Sequence, residues 1–420
     1  MNSAAVRETC DFGRGVWRRL TLAVLVLALF IPVYSFAAQP QYVAIGDVHG
    51  AFDGFVAILQ KTGLIDQEHH WKGGATTLVQ VGDLIDRGPK PRQVMDLVID
   101  LQPQAQKAGG RVIALLGNHE IMNIMGDVRY VTPENFGSFA DGKSEERRQS
   151  AWQEFTKWRN KHSALAAELP ASLNPTQEQW MAQHPAGFVE QREAYSPNGR
   201  YGKWLRSNLV VAKIAGVVFV HGGLDSTVAA MGVDKINARI SDELNIFDNT
   251  RKYLQEQGLI LPFFTQQEMT AVVQAEIRVE QKNGTDPSKQ LRAVIAPFMS
   301  FGNWLSMSAD SPVWFRGYDE WSDQEAAAQI PRILQSLDAK IIVVGHTPQK
   351  SGQIRARADG KVFLIDTGML SSYFPGGKAS ALEFDKDAEI DAEYLDARVV
   401  LKPATPKSAA TAGGVISGKN

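Results

Sequence analysis

Five short apolar runs in this chain each end in the same kind of polar cluster, and no other feature of the sequence constrains the fold as strongly. Residues 41–46 (QYVAIG) run into Asp47-Val48-His49-Gly50, and 76–81 (TTLVQV) into Gly82-Asp83-Leu84-Ile85-Asp86-Arg87-Gly88. Residues 111–116 (RVIALL) run into Gly117-Asn118-His119-Glu120. A fourth run, 209–221, turns near Ala215-Gly216 and ends in His221-Gly222-Gly223; a fifth, 340–344, ends in Gly345-His346-Thr347. Short apolar runs closed by glycine and acid read as buried strands. Helical patterns stand between the first three: 51–62, with Phe52, Phe55, Val56 and Leu59 on one face, and Pro91–Leu101. Such alternation predicts an α/β architecture of βαβ units with a largely parallel sheet. Ligands of such a sheet bind beyond the carboxyl ends of its strands, so the clusters converge on one edge.

The residue types in those clusters suit a metal site. Carboxylate, imidazole and amide oxygen favour Mn, Fe or Zn. Asp47 and His49, two apart where a strand ends, can reach one ion. Asn118, His221 and His346 can serve a second, with Asp83 as the natural bridge. Two ions about 3.5–4 Å apart can clamp a phosphoester and activate water against it. Four of the eight histidines lie at these strand ends; His69, His70, His162 and His184 fall in polar stretches and are read as solvated. His119 reads as the general acid that protonates the leaving oxygen, with Asp86 holding its ring. Arg87 offers a bidentate contact to phosphate oxygens. The plainer alternatives are a turn cap for Asp86 and a surface ion pair for Arg87.

The rest of the chain is less regular. Residues 126–200 read as an insertion forming a helical cap, whose Trp152, Phe155 and Trp158 have the spacing of helix packing; 225–325 is again helical and irregular. A helix is expected at 326–337, strands at 353–357 and 361–366, edge strands at 379–384 and 391–395, and a disordered tail over 403–420. At the N-terminus, Arg14, Arg18 and Arg19 precede an apolar run from Leu20 to Val33 that Pro32 interrupts, and Ser35-Phe36-Ala37 follows. That is the pattern of a signal peptide over 1–37, implying a periplasmic or secreted protein. The alternative is an uncleaved inner-membrane anchor, the one case in which a membrane partner is expected. The mature chain, 38–402, reads as one domain carrying the two insertions. Cleavage would remove Cys10, the single cysteine, and with it any disulfide, catalytic thiol or thiolate ligand. A formal net charge of -2 gives no signal for nucleic acid.

Together, GDVHG, GDLIDRG, GNHE, HGG and GHT resemble the calcineurin-like metallophosphoesterases, and the complete DRG resembles their phosphoprotein phosphatase branch. Gly202-Lys203-Trp204-Leu205-Arg206 and Ser311-Pro312-Val313-Trp314-Phe315-Arg316-Gly317 are similar to segments of the bacterial Shewanella-like protein phosphatases. The resemblance covers roughly 41–125, 200–224 and 340–375. It implies a metallophosphoesterase-type β-sandwich flanked by helices. It implies that Asp47, His49 and Asp83 hold one metal and Asp83, Asn118, His221 and His346 the other. It pairs His119 with Asp86 as the acid, joins Arg316 to Arg87 as phosphate ligands, and suggests that Asp366 orients a ligand histidine. The expected activity is that of a dinuclear metal-dependent phosphatase on phosphomonoesters, either a phosphoprotein or a small molecule. A nucleotide pyrophosphohydrolase or phosphodiesterase with the same metals is the alternative; an inactive metal-bearing envelope protein would need a broken catalytic set, and none is visible.

Overall fold

The computed structural model describes residues 41–284, 289–386 and 388–403; the expected signal segment and all but Pro403 of the expected tail lie outside them. Its strands are β1 (Tyr42–Ile45), β2 (Thr77–Gln80), β3 (Arg111–Ala114), β4 (Val211–Ile214), β5 (Val217–Val220), β6 (Ile341–Val344), β7 (Arg355–Arg357), β8 (Val362–Leu364), β9 (Ser380–Phe384), β10 (Ile390–Tyr394) and β11 (Arg398–Lys402). They form two sheets, ordered β11-β10-β9-β1-β2-β3 and β4-β5-β6-β8-β7. β1, β2 and β3 are parallel, joined by helices α1 (Phe52–Lys61) and α2 (Pro91–Lys107) as two βαβ crossovers. β5, β6 and β8 are parallel as well, with antiparallel β4 and β7 at the edges.

The sheets stack as a sandwich because the strands are apolar on both faces. Val43, Ile45 and Leu78 point to the helix side, where they meet Phe55, Ile58 and Val94. Their alternates Ala44 and Val79 point inward to Phe219, Val343 and Phe363 of the second sheet. Phe384 of the first sheet meets Phe219 and Phe363 edge-on, with ring centroids 6.2 and 6.4 Å apart. Double-sided burial explains why these strands read as continuous apolar runs instead of alternating ones. Each fully buried Val, Leu, Ile or Phe contributes about 1.5–3 kcal/mol, so the strand ends are held by a stiff frame. The turn in the fourth run is a two-residue hairpin: Ala215 (φ 49°) and Gly216 (φ 83°) are both left-handed, the requirement of a tight turn between twisted strands.

The largely parallel sheet expected from the strand-helix alternation is thus divided between two mixed sheets, which stack as the helix-flanked β-sandwich that the resemblance implies. The expected edge strand at 379–384 is interior: β9 inserts between β1 and β10, antiparallel to both. The outer edge is β11, where Val399 and Val400 are exposed between Arg398 and Lys402, charges that discourage further strand pairing. α2 passes its expected end at Leu101 because Ala105 extends the buried face while Pro103 lies on the exposed side.

The two insertions are helical, as expected, and form one layer. Helix α3 (Asn118–Met125) leads into α4 (Ser144–Lys161), the short helices Gln177–Gln183 and α5 (Phe188–Ala194), and α6 (Arg200–Arg206). The later insertion contributes α7 (Val233–Glu256) and α8 (Gln266–Lys282). Phe155 and Trp158 of α4 and Trp180 pack against Phe263 and Phe264, and Trp158 Nε1 donates to the Leu259 carbonyl at 3.1 Å. The spaced aromatics are thus helix packing. This layer backs onto α3 and, through Tyr130 near its start, touches the strand-end site. Among the described residues no helix is long and apolar enough to cross a membrane.

Candidate metal centre

The strand ends bring Asp47, His49, Asp83, Asp86, Arg87, Asn118, His119, His221 and His346 to one place, and Arg316 reaches its edge from another segment. Asp83 lies at its middle. Its Oδ2 is 3.2 Å from His221 Nε2, 3.6 Å from His49 Nε2 and 3.8 Å from His119 Nε2. Two groups of potential ligands share it, His49–Asp83–His119 and Asp83–His221–His346, each with ligand atoms within 4.8 Å of one another. Asp47 reaches both sides: Oδ2 is 3.7 Å from His49 Nε2, and Oδ1 accepts the His346 N–H at 2.9 Å. Asn118 Oδ1 is 3.0 Å from His221 Nε2. Two sets joined by one carboxylate form the donor arrangement that a pair of ions requires.

The local backbone explains how so many side chains converge. His49, Asp83, Asp86, Arg87 and His346 all have left-handed backbone, with φ of 48°, 57°, 66°, 63° and 67°. For residues with a Cβ this costs on the order of 1–3 kcal/mol each, a strain characteristic of functional sites. Two glycines permit the closest approaches. A Cβ on Gly117 would lie 2.2 Å from Asp83 Oδ1, and one on Gly345 would lie 2.4 Å from Asp47 Oδ1. Ring orientations are fixed from behind: His49 Nδ1 lies 2.9 Å from the Ile85 carbonyl and His221 Nδ1 2.9 Å from the Val81 carbonyl. Backbone contacts of this kind set the tautomer and leave Nε2 for a metal.

Electrostatics divides the four histidines. Burial lowers the pKa of every one of them. For His221, Asp83 and Asp47 outweigh burial and raise it to about 9. For His119, Asp83 and Asp86 likewise win and raise it. His49 and His346 are pushed well below the usual range by burial, reinforced by the neighbouring His119 and His221 respectively. Burial, Asp366 and Asp83 raise the Asp47 carboxyl well above its usual range. The Asp83 carboxyl stays well below its usual range because His221 and His119 overcome burial. Buried His119 Nε2 and His346 Nε2 have no hydrogen-bond partner in the protein. Orphaned ring nitrogens beside crowded carboxylates fit bound cations.

His119 also sits where an acid is useful. Its Nδ1 is 2.7 Å from Asp86 Oδ2, and both residues are buried. By distance alone it could also be a ligand with His49 and Asp83. Arg87 is at the mouth: Nη1 lies 2.6 Å from His49 Nε2, and the guanidinium stacks 4.5 Å over Tyr373 and 5.7 Å over Tyr130, both exposed. Arg316 is half-buried beside the fifth strand end, where Nη1 donates to Thr347 Oγ1 at 3.0 Å and to the His346 carbonyl at 3.3 Å. It makes no stack with an aromatic ring among the described contacts.

Several features differ from the sequence reading or escaped it. The Asp366 carboxyl, expected to orient a ligand histidine, lies against Asp47 with His221 near it, and burial raises its pKa to about 6. His184 is buried, stacked 4.1 Å from the Trp180 ring, so it is not solvated. Glu120 is fully buried and has a structural role that the strand-end pattern does not reveal. Its Oε2 accepts the N–H groups of Asp83 (2.7 Å) and Gly117 (2.8 Å), and its Oε1 that of Leu84 (2.9 Å), tying the second strand-end loop to the third. A glutamate three residues after a helix cap is the sequence signal for it. Asn123, one turn after His119, holds Asp86 through Nδ2 at 2.9 and 3.0 Å.

The comparisons agree with this geometry. The model of the calcineurin-like phosphoesterase family matches residues 41–350. Shewanella-like protein phosphatase 2 of Arabidopsis thaliana is 33% identical over 364 residues, 84% of this chain and 78% of the relative. Shewanella-like protein phosphatase 1 of Plasmodium berghei is 26% identical over 332 residues, 78% of this chain and 67% of the relative. In fold, the chain is similar to a cold-active protein tyrosine phosphatase, with a TM-score of 0.54 and 23% identity over 86% of this chain and 79% of that one. The chain is a metal-dependent phosphatase that belongs to the calcineurin-like phosphoesterase family, among the Shewanella-like protein phosphatases.

Proposed function

We propose that the chain is a dinuclear phosphomonoesterase that works on phosphorylated protein side chains, phosphotyrosine among them, or on small phosphomonoesters. The observation that carries this reading is one carboxylate, Asp83, shared by two ligand groups with a buried His–Asp pair beside it. Asp47, His49 and Asp83 would hold one ion, and Asp83, Asn118, His221 and His346 the other, drawn from Mn, Fe and Zn. When bound, the ions supply an activated water and stabilise the charge developing on the phosphate. Arg87 at the mouth binds the phosphate oxygens, and Arg316 does so from beside His346. His119 carries its proton on Nε2 and gives it to the leaving oxygen, while Asp86 keeps the ring cationic and aligned. Exposed Tyr130 and Tyr373 beside Arg87 give a flat leaving group surfaces to stack on, in keeping with the tyrosine phosphatase named among the neighbours.

The test is turnover of p-nitrophenyl phosphate, its bis-ester and phosphopeptides with Mn, Fe and Zn in turn. The monoester and phosphopeptides are expected to be faster; a faster bis-ester would replace this reading with the phosphodiesterase one. The basic, apolar, small-residue order of 1–37 supports export to the periplasm after cleavage behind Ala37. Sequencing the N-terminus of protein recovered from cells checks this, and a chain that still begins at Met1 in the membrane fraction would mean an anchor.

A further inference from the structure

We infer that a second cavity, built by the two helical insertions and separate from the metal centre, binds a small oxyanion of the phosphate class. The cavity holds about 600 Å³, a size typical of small-ligand sites, and its walls include Arg192, Arg206, Arg251, Lys252, Asn249 and Phe263. None of the strand-end residues lines it.

What points to an anion is positive charge buried without a direct ion-pair partner. Arg192 is 4% exposed and Arg251 7%. Arg206 has a carboxylate, gripping both oxygens of Asp248 at 2.6 and 2.8 Å. Among the described residues, neither Arg192 nor Arg251 has a carboxylate at ion-pair distance. Arg192 Nη1 donates to the Asn123 carbonyl at 3.1 Å, and Arg251 Nη2 to the Pro262 and Phe264 carbonyls at 2.7 and 2.6 Å. Carbonyls use donors but do not cancel charge. Arg192 Nε and Arg251 Nη1 remain buried with no partner at all. An unpaired buried charge is costly, and an orphaned N–H adds to that cost. Burial, with Arg251 and Arg206 adding repulsion, lowers the Arg192 pKa to about 9. Glu154 and Glu193 also line the cavity but are exposed, and the nearer carboxylates, Glu268 for both arginines and Asp248 for Arg251, stand beyond ion-pair distance and offset burial only in part. The planar guanidinium forks of Arg192 and Arg251 suit the oxygens of a tetrahedral oxyanion.

The test uses the full-length, metal-loaded protein titrated with inorganic phosphate by calorimetry. Asn249 is exposed on the cavity wall, so Asn249→Glu places a carboxylate where the anion would sit without disturbing the core. Wild type is expected to bind one phosphate at the metal centre and a second in the cavity. Asn249→Glu is expected to lose the second, at least about tenfold in affinity, with kcat on p-nitrophenyl phosphate unchanged. Equal phosphate stoichiometry in the two proteins would overturn the inference. Asp83→Asn, which disables the metal centre, supplies an independent reading: it should retain one phosphate, and the double variant Asp83→Asn/Asn249→Glu none. Loss of all saturable binding in folded Asp83→Asn, or its persistence in the double variant, would equally overturn it.

Discussion

At the residue scale the site divides into groups that hold charge and groups that hold those groups in place. His119 and Asp86 form one device, joined at 2.7 Å and clamped by Asn123. Replacing either member should therefore cost about the same, on the order of 10²-fold or more in kcat, and replacing both should cost little beyond one. Kinetics of His119→Asn, Asp86→Asn and the double variant, each with its metal content measured, check this; multiplicative losses would mean that the two act separately. Glu120 is a different case, since it touches no reacting atom. It satisfies three buried N–H groups with two oxygens, so Glu120→Gln turns one acceptor into a donor facing a donor. A loss of roughly 2–3 kcal/mol in urea unfolding is expected. A change within about 0.5 kcal/mol, the size of an ordinary surface substitution, would show that the loops do not depend on this strap. The charged set, Asp47 to His346, was legible from the sequence because each member follows an apolar run. Glu120 and Asn123 were not, because their partners are backbone atoms and a second-loop carboxylate 37 residues away. The position of Asp366 after β8 puts it near the site, but only the fold shows that its carboxyl meets Asp47, with His221 close by.

At the scale of elements, the least legible part was the antiparallel half of the first sheet, and acidic residues are the reason. β9 (SALEF) and β10 (IDAEY) carry Glu383, Asp391 and Glu393, residue types usual at solvent-facing strand positions, yet all are buried. Arg398 of β11 makes this possible by reaching all three from the next strand, and Lys61 lies 3.5 Å from Glu393. Two cations face three acids. Burial, reinforced by Glu393 and Asp391 against the pull of Arg398, raises the Glu383 pKa to about 7. Its folded value exceeds the ordinary 4.5, so the folded state binds the proton more tightly than the unfolded chain. That contribution to stability is complete below the unfolded value and fades as pH rises through the folded one. Glu383→Gln removes the titration. The melting temperature of the variant relative to wild type should thus climb between about pH 5 and pH 8. A difference that stays flat or falls over that interval would mean that Arg398 already neutralises Glu383.

At the scale of the whole molecule, the strands were legible from local pattern, but their division into the two sheets of a sandwich was legible only through the family resemblance. Pairing of β1 with β9 joins residues more than three hundred positions apart, a choice that local pattern does not encode. The same holds for the insertions, whose helices were expected but whose union was not. Phe155, Trp158 and Trp180 come from one and Phe263 and Phe264 from the other, yet they form one aromatic cluster. Neither insertion can bury these rings by itself, which argues that the two fold as a unit. Gln191 Nε2 donates to Asn123 Oδ1 at 2.7 Å, so the same layer stands directly behind the clamp on Asp86. Trp180 is 1% exposed, and Trp180→Ala should cost about 3–5 kcal/mol. If the layer is one cooperative unit, amide exchange should quicken in α7 and α8 as well as in α4 and α5, while β1, β2 and β3 keep their protection. Faster exchange confined to the first insertion would show two independent attachments, with α7 of the second insertion held by α3 and β4.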